Sequence, residues 1–269
     1  MFRTSIFTMM FIALLFAHPD KSIAIRGGED ITSNRNSPSH QAAYTVVAIH
    51  KQHALHQQPD SKHACSGVLI NPENILTSVH CFDDQNFEIT IISAHFKLTP
   101  VSVGIHNQYL RTELKDEYWQ FVYDIKLEND YALVKIESLP RNPKTHTLDL
   151  SRPSFTISPT LTWSEQLFVM GYGQTANIFG MGEGEGTLRI TGPLNGEILS
   201  SKRAEIRHNS KGACQGDSGG PLFSIEEDRL LLLGIISQGD CNTFSRYQRV
   251  IRADLNPNHY QWYAVPTQN

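Results

Sequence analysis

Cys214-Gln215-Gly216-Asp217-Ser218-Gly219-Gly220-Pro221 is the stretch from which the rest of this chain is best read. A serine set between glycines can occupy a tight turn with its hydroxyl exposed. Gly216, without a side chain, lets a carbonyl group approach the backbone closely. The N–H groups of Gly216 and Ser218 can then converge on one point and hold a developing oxyanion. One such donor is worth about 10²–10³ in rate. A glycine-rich surface turn is the plain alternative for G-x-S-x-G taken alone. What separates the two is whether the chain also supplies a base, because a hydroxyl by itself is a weak nucleophile.

Working outward, Leu76-Thr77-Ser78-Val79-His80-Cys81 offers that base. The chain has 12 histidines. His80 stands out because it ends a strand-like apolar run and is followed by a cysteine that can pin the corner. A base of this kind needs a carboxylate to fix its tautomer and stabilise the imidazolium. Asp130 lies directly before the apolar run Tyr131-Ala132-Leu133-Val134-Lys135-Ile136. Asp124 is a decoy of similar appearance. The run after it is shorter and broken by Lys126, so Asp130 is preferred.

The surroundings are all-β in character. Tyr44–Ile49, Gly67–Ile70, Phe87–Ile92, Tyr131–Ile136, Gln166–Met170, Leu188–Ile190 and Leu230–Ile236 are short apolar runs, several alternating and β-branched, with turn residues between them. Many short strands in series predict a barrel or sandwich. The one helix expected is terminal, around Asn258–Val265 after Pro257. The proline-rich segment Leu139–Pro153 is the natural linker between two halves, about 40–138 and about 154–255. With 40% hydrophobic and 19% charged residues the chain can bury a core. A net charge of −4, with no basic stripe, points away from nucleic acid and from membrane surfaces.

The N-terminus reads as an export signal. Arg3 precedes an apolar run from Ile6 to Ala17 broken only by Thr8. That run falls short of the roughly 20 residues of a membrane-spanning helix. Ser22-Ile23-Ala24 then provides the small residues of a cleavage site, so residues 1–24 are expected to be removed, with or without a short His18–Ala24 propeptide. An exported chain with 4 cysteines favours two disulfides. Three pairings of Cys65, Cys81, Cys214 and Cys241 are open, and the local one joins Cys65 to Cys81 and Cys214 to Cys241. No metal-ligand spacing accompanies them. His50, His53, His56 and His63 are expected to lie in a solvated loop, and no metal or other cofactor is expected.

Ile25-Arg26-Gly27-Gly28, Thr77-Ser78-Val79-His80-Cys81, Asp130-Tyr131-Ala132-Leu133-Val134, Gly171-Tyr172-Gly173, Gly216-Asp217-Ser218-Gly219-Gly220-Pro221 and Ser237-Gln238-Gly239 together resemble the trypsin/chymotrypsin family. They occur in that family's order and span nearly all of residues 25–269. The resemblance implies two antiparallel β-barrels of the chymotrypsin type with a short C-terminal helix. It implies a secreted, monomeric serine endopeptidase with the local disulfides. His80, Asp130 and Ser218 would be its triad, the amides of Gly216 and Ser218 its oxyanion hole, and Ser237 a support behind Asp130. Protein or peptide substrates are the implied partners, a protein inhibitor a further candidate. The alternative on the same fold is a catalytically silent binding protein.

The resemblance also implies that a freed Ile25 amine pairs with buried Asp217. The residue before Ile25 is Ala24, so signal peptidase itself is expected to make that cut. By position, Gly212 floors the primary pocket with Ala213 beside it, and Gly239 and Ser245 line its walls. With small walls and no carboxylate, the pocket is expected to be open and to take apolar or aromatic side chains. Arg246 would select acidic ones were the loop shifted by one residue. Gln238 stands where relatives carry an aromatic residue.

Overall fold

Successive side chains of a strand point to opposite sides of its sheet, and in several strands of this chain both sides are apolar. The computed structural model describes residues 28–30, 42–53, 62–82, 87–93, 97–115, 122–137, 155–157, 166–174, 177–178, 181–182, 186–198, 200, 202–207, 211–227, 229–241 and 243–265. Val47 and Ile49 enter one core with Ile75, Ile91, Val103, Ala132 and Val134. Their neighbours Val46 and Ala48 enter another, with Val68, Leu76 and Leu133. In the second half, Leu222, Leu233, Ile236 and Tyr247 fill a core of their own. Phe223, Leu232 and Ile235, next to them in the chain, join Val46 and Leu76 instead. The strands therefore read as near-continuous apolar runs because one face fills a barrel and the other packs between barrels. Fully burying each Val, Leu or Ile contributes about 1.5–3 kcal/mol.

Two curled sheets carry these faces, giving the expected chymotrypsin-type double barrel. The first is 8-stranded, in the order Tyr260–Ala264, Pro100–His106, Ala132–Ile136, Asn74–Thr77, Lys62–Asn71, Val46–His53, Phe87–Ser93 and Lys97–Leu98. The second is 9-stranded: Glu29–Asp30, Arg189–Leu194, Leu167–Gly171, Pro221–Glu226, Arg229–Gly239, Phe244–Arg249, Arg203–Arg207 and Glu197–Ile198 in order, with Phe155–Ile157 beside Arg229–Gly239. That last pairing is parallel, and the others are antiparallel. The two ends of the chain cross over. Glu29–Asp30 pairs with Arg189 and Ile190 in the second sheet, and Tyr260–Ala264 with Ser102–His106 in the first. A separate hairpin, Leu110–Lys115 with Val122–Glu128, leads into Asn129 and Asp130.

The terminal helix expected around Asn258–Val265 is not formed. Two 3₁₀ turns, Arg252–Leu255 and Pro257–His259, end in the strand Tyr260–Ala264. Asn256 caps the second turn through the Asn258 amide. Beyond it, Tyr260, Trp262 and Tyr263 are strand formers. Trp262 lies opposite Gly104, where a Cβ would come within 3.1 Å of the indole. The bare glycine is thus covered by an aromatic ring from the neighbouring strand, and the pairing offers more contact than a lone helical turn.

Candidate active site

Asp130 owes its position to the turn before it. Asn129 adopts a left-handed conformation at φ 49°, donates its side-chain amide to the Gln108 carbonyl at 2.9 Å and accepts from Lys202 Nζ at 2.7 Å. Asp130 is fully buried, and its carboxylate is met by three donors. Oδ1 accepts the His80 amide at 3.0 Å. Oδ2 accepts His80 Nδ1 at 2.7 Å and the Ser237 hydroxyl at 2.6 Å. Ser237 reaches it because the pairing of Arg229–Gly239 with Phe244–Arg249 shifts register between Ile236 and Gln238. A bulge of this kind re-aims one side chain out of the strand's alternation.

His80 sits in the 3₁₀ turn Val79–Phe82, its side chain 21% exposed. The turn is fixed on both sides. Cys81 is bonded to Cys65, and the Ser78 hydroxyl donates to the Ile236 carbonyl at 2.8 Å in the second barrel. With Nδ1 given to Asp130, Nε2 is the basic nitrogen of the neutral ring. Cys65, His80 and Cys81 are also the one group with metal-ligand chemistry among the described residues. Their two sulfurs form the disulfide, which leaves no thiolate to ligate. Of the four histidines expected in a solvated loop, His50 lies in the strand Val46–His53. His56 and the side chains of His53 and His63 lie outside the described residues, as does the side chain of Asp124.

Ser218 is half-buried in the turn that follows Cys214. Gly216 and Gly219 take φ values of 90° and 84° there, which L side chains rarely adopt. A Cβ on Gly219 would also fall 2.1 Å from Thr77 Oγ1 and 3.0 Å from the Ser78 amide. The serine turn is therefore pressed against the residues that open the His80 turn. Ser66 clasps it from the first barrel: its amide donates to the Ser218 carbonyl at 2.7 Å and its hydroxyl to the Gly216 carbonyl at 3.0 Å. Thr77 in turn donates to the Ser66 carbonyl at 2.7 Å. Sequence reasoning did not single out Ser66 or Thr77; the available signal was a hydroxyl at a buried position in an otherwise apolar strand.

Asp217 braces the same turn. It is fully buried, accepting the Gly173 amide on Oδ1 and the Cys214 amide on Oδ2, each at 2.8 Å. Burial pushes its carboxyl up to about 7, against the downward pull of those amides and of the Arg189 charge. Its expected partner Ile25 lies outside the described residues, as do Arg26 and the whole segment 1–24.

The structure thus brings together a buried carboxylate bonded to a histidine and, packed against the turn of that histidine, a serine turn built on left-handed glycines. The comparison with known families agrees. The trypsin family model matches residues 31–256. The chain belongs to the trypsin family. The Suppressor of tumorigenicity 14 protein homolog of Bos taurus is 28% identical over 211 residues, covering 70% of this chain and 23% of its own length. The chain thus spans less than a quarter of that relative. Membership of the trypsin family supports a protease of this fold, and trypsin-like proteases act on protein substrates. Both local cysteine pairs of the expected framework are bonded.

The residues expected to form the primary pocket lie close together. Gly212 and Ala213 are buried where the floor was placed. A Cβ on Gly239 would lie 2.5 Å from the Ala213 carbonyl oxygen, so the backbone is closely packed at these two positions. The Ser245 hydroxyl closes the base by accepting the Ala213 amide at 2.9 Å. Arg246 does not enter the pocket. Strand alternation puts it on the face opposite Ser245, where its Nε bonds Glu205 at 3.2 Å and its guanidinium lies 4.7 Å from the Phe244 ring centre. The acidic-selective alternative loses its basis, because the charge already has a carboxylate partner across the sheet.

Proposed function

We propose that the chain is a secreted serine endopeptidase that hydrolyses peptide bonds with Ser218 as nucleophile, His80 as general base and acid, and Asp130 as the group that orients His80. The observation carrying this reading is the three-donor Asp130 carboxylate joined to His80 Nδ1 at 2.7 Å, on the turn against which the Ser218 loop packs. Ser218 Oγ attacks the substrate carbonyl while His80 Nε2 takes its proton. The amides of Gly216 and Ser218 hold the oxyanion. Collapse expels the amine, which receives the proton from His80 and leaves Ser218 acylated. Water then attacks the acyl group with His80 again as base, releasing the acid and restoring Ser218.

Around this chemistry the reading has further parts. Residues 1–24 direct export, 25–269 form the protease domain, and the mature chain works as a monomer. Among the described residues no helix is long and apolar enough to cross a membrane. The Ile25 amine, once freed, pairs with Asp217 and braces the serine turn. The contact between Gly239 and Ala213 favours substrates with a small side chain before the scissile bond over apolar or aromatic ones.

The test is covalent labelling of the secreted chain with a fluorophosphonate, read by intact mass beside a Ser218→Ala control. One label per chain, absent from the control, supports the reading. A chain that begins at Ile25 and takes no label overturns it in favour of a silent binding protein on the same fold.

A further inference from the structure

The hairpin Leu110–Lys115/Val122–Glu128 pairs with neither barrel sheet, yet it delivers Asn129 and Asp130 to the site. A side chain of the second barrel reaches it. Gln238, beside the Ser237 that bonds Asp130, donates its Nε2 to the Ile125 carbonyl at 2.6 Å. Its other amide atom, Oε1, accepts Arg246 Nη1 at 3.3 Å. Arg246 is held in turn by Glu205 at 3.2 Å, and Glu205 by Arg207 at 3.1 Å. The cross-strand register sets this chain: Gln238 lies opposite Arg246, and Arg246 opposite Glu205. An amide has one donor end and one acceptor end. With Arg246 fixing the acceptor end, the NH₂ group is aimed at the hairpin.

We propose that Gln238 is a positioning residue that straps this hairpin to the second barrel, with Arg246 and Glu205 setting the direction of its amide. The strap fixes the distance between the hairpin and the segment Ser237–Gly239, and on the peptidase reading an extended substrate would lie between them. An aromatic residue at 238 would offer an apolar face there and no carboxamide to span the gap. This part of the inference rests on the peptidase reading, while the strap itself does not.

The experiment compares Gln238→Met, which keeps length and loses both bonds, with Gln238→Glu, which keeps the acceptor for Arg246 and loses the donor to Ile125. Arg246→Met removes the aiming group, together with its bond to Glu205 and its contact with Phe244. Hydrogen exchange is read over 110–128. Turnover is read on an extended peptide, and labelling on a small fluorophosphonate that does not reach the hairpin. The expected result for both Gln238 variants is exchange raised about tenfold, the scale of one lost hydrogen bond. kcat/KM on the peptide should fall by a similar factor through KM, with phosphonate labelling within twofold of the parent. Arg246→Met should give a smaller change in the same direction. Unchanged exchange over 110–128 in both Gln238 variants overturns the strap. Peptide turnover and phosphonate labelling falling together would overturn the positioning role. A parent chain that takes no phosphonate overturns the peptidase reading and the peptide claim with it, and the exchange data then decide the strap alone.

Discussion

The Ser237 hydroxyl, from the second barrel, donates to the Asp130 carboxylate of the first at 2.6 Å. The buried charge is therefore satisfied from both sides of the seam. Replacing Ser237 with alanine leaves Oδ2 with His80 alone and removes a bond of the charge-assisted kind, worth about 1.5–3 kcal/mol. The expected outcome is a several-fold loss in kcat with KM nearly unchanged, together with a lower urea midpoint. Steady-state kinetics and urea denaturation of Ser237→Ala check it.

Asp130→Asn tests the histidine tautomer. An amide at this position can present its NH₂ to Nδ1 and so drive the ring proton to Nε2, where it blocks proton acceptance from Ser218. A loss of about 10⁴ in kcat follows, with the fold retained. Single-turnover assays on the variant, beside circular dichroism, read both quantities.

Gly219→Ala addresses the turn rather than the chemistry. Its φ of 84° is strained for alanine, and the added methyl would fall 2.1 Å from Thr77 Oγ1 and 2.3 Å from the Ser66 carbonyl. The Ser66 contact is backbone and cannot rotate away. The variant is expected to lose about 3 kcal/mol or more, and phosphonate labelling with it. Gly186→Ala is the control. It also has positive φ, at 87°, but open space around the Cβ, and should lose only about 1–2 kcal/mol.

Asp217 gives a pH dependence whose sign can be stated. Its carboxyl is raised from an ordinary value of 3.8 to about 7 by burial, so the folded chain holds this proton more tightly than the unfolded one. The stability contributed by the protonated group is full below the unfolded value and is lost as pH rises through about 7. In a chain carrying residues ahead of Ile25, the urea midpoint should fall between pH 4 and 7 relative to Asp217→Asn. In a chain beginning at Ile25, the paired amine should remove that fall. Urea titrations of both forms across this range decide it.

A panel of peptides differing only in the residue before the scissile bond tests the closed pocket. Glycine, alanine and serine should be turned over faster than phenylalanine or tyrosine by tenfold or more, since an aromatic ring would have to part Gly239 from Ala213. Faster cleavage after aromatic residues would show that these walls separate when substrate binds.

Much of this was legible in the sequence, for local reasons. His80 ends a strand-like apolar run, Asp130 directly precedes one, and Ser218 stands in a glycine-rich turn, all of which are local patterns. The local cysteine pairs were legible because each closes a short loop. The C-terminal strand was not legible, because its partner Pro100–His106 lies far back in the chain and no local pattern announces it. Ser66 and Gln238 were hidden for a related reason. Each acts through a bond to a residue more than a hundred positions away, Gly216 for one and Ile125 for the other. The close approach of Gly239 to Ala213 is a tertiary contact that residue identity alone does not fix.

The shared middle core carries one more consequence. Val46, Ala48, Val68, Leu76 and Leu133 have no water-facing alternative except the other barrel. Either half produced by itself would present that row as a sticky plane, prone to self-association. Produced together as two separate polypeptides broken within 138–154, the halves carry complementary planes and the crossed-over end strands Glu29–Asp30 and Tyr260–Ala264. Their mutual attraction would then favour reassembly of the double barrel without a covalent link, which makes this chain a candidate for a split reporter whose signal depends on bringing its two fragments together.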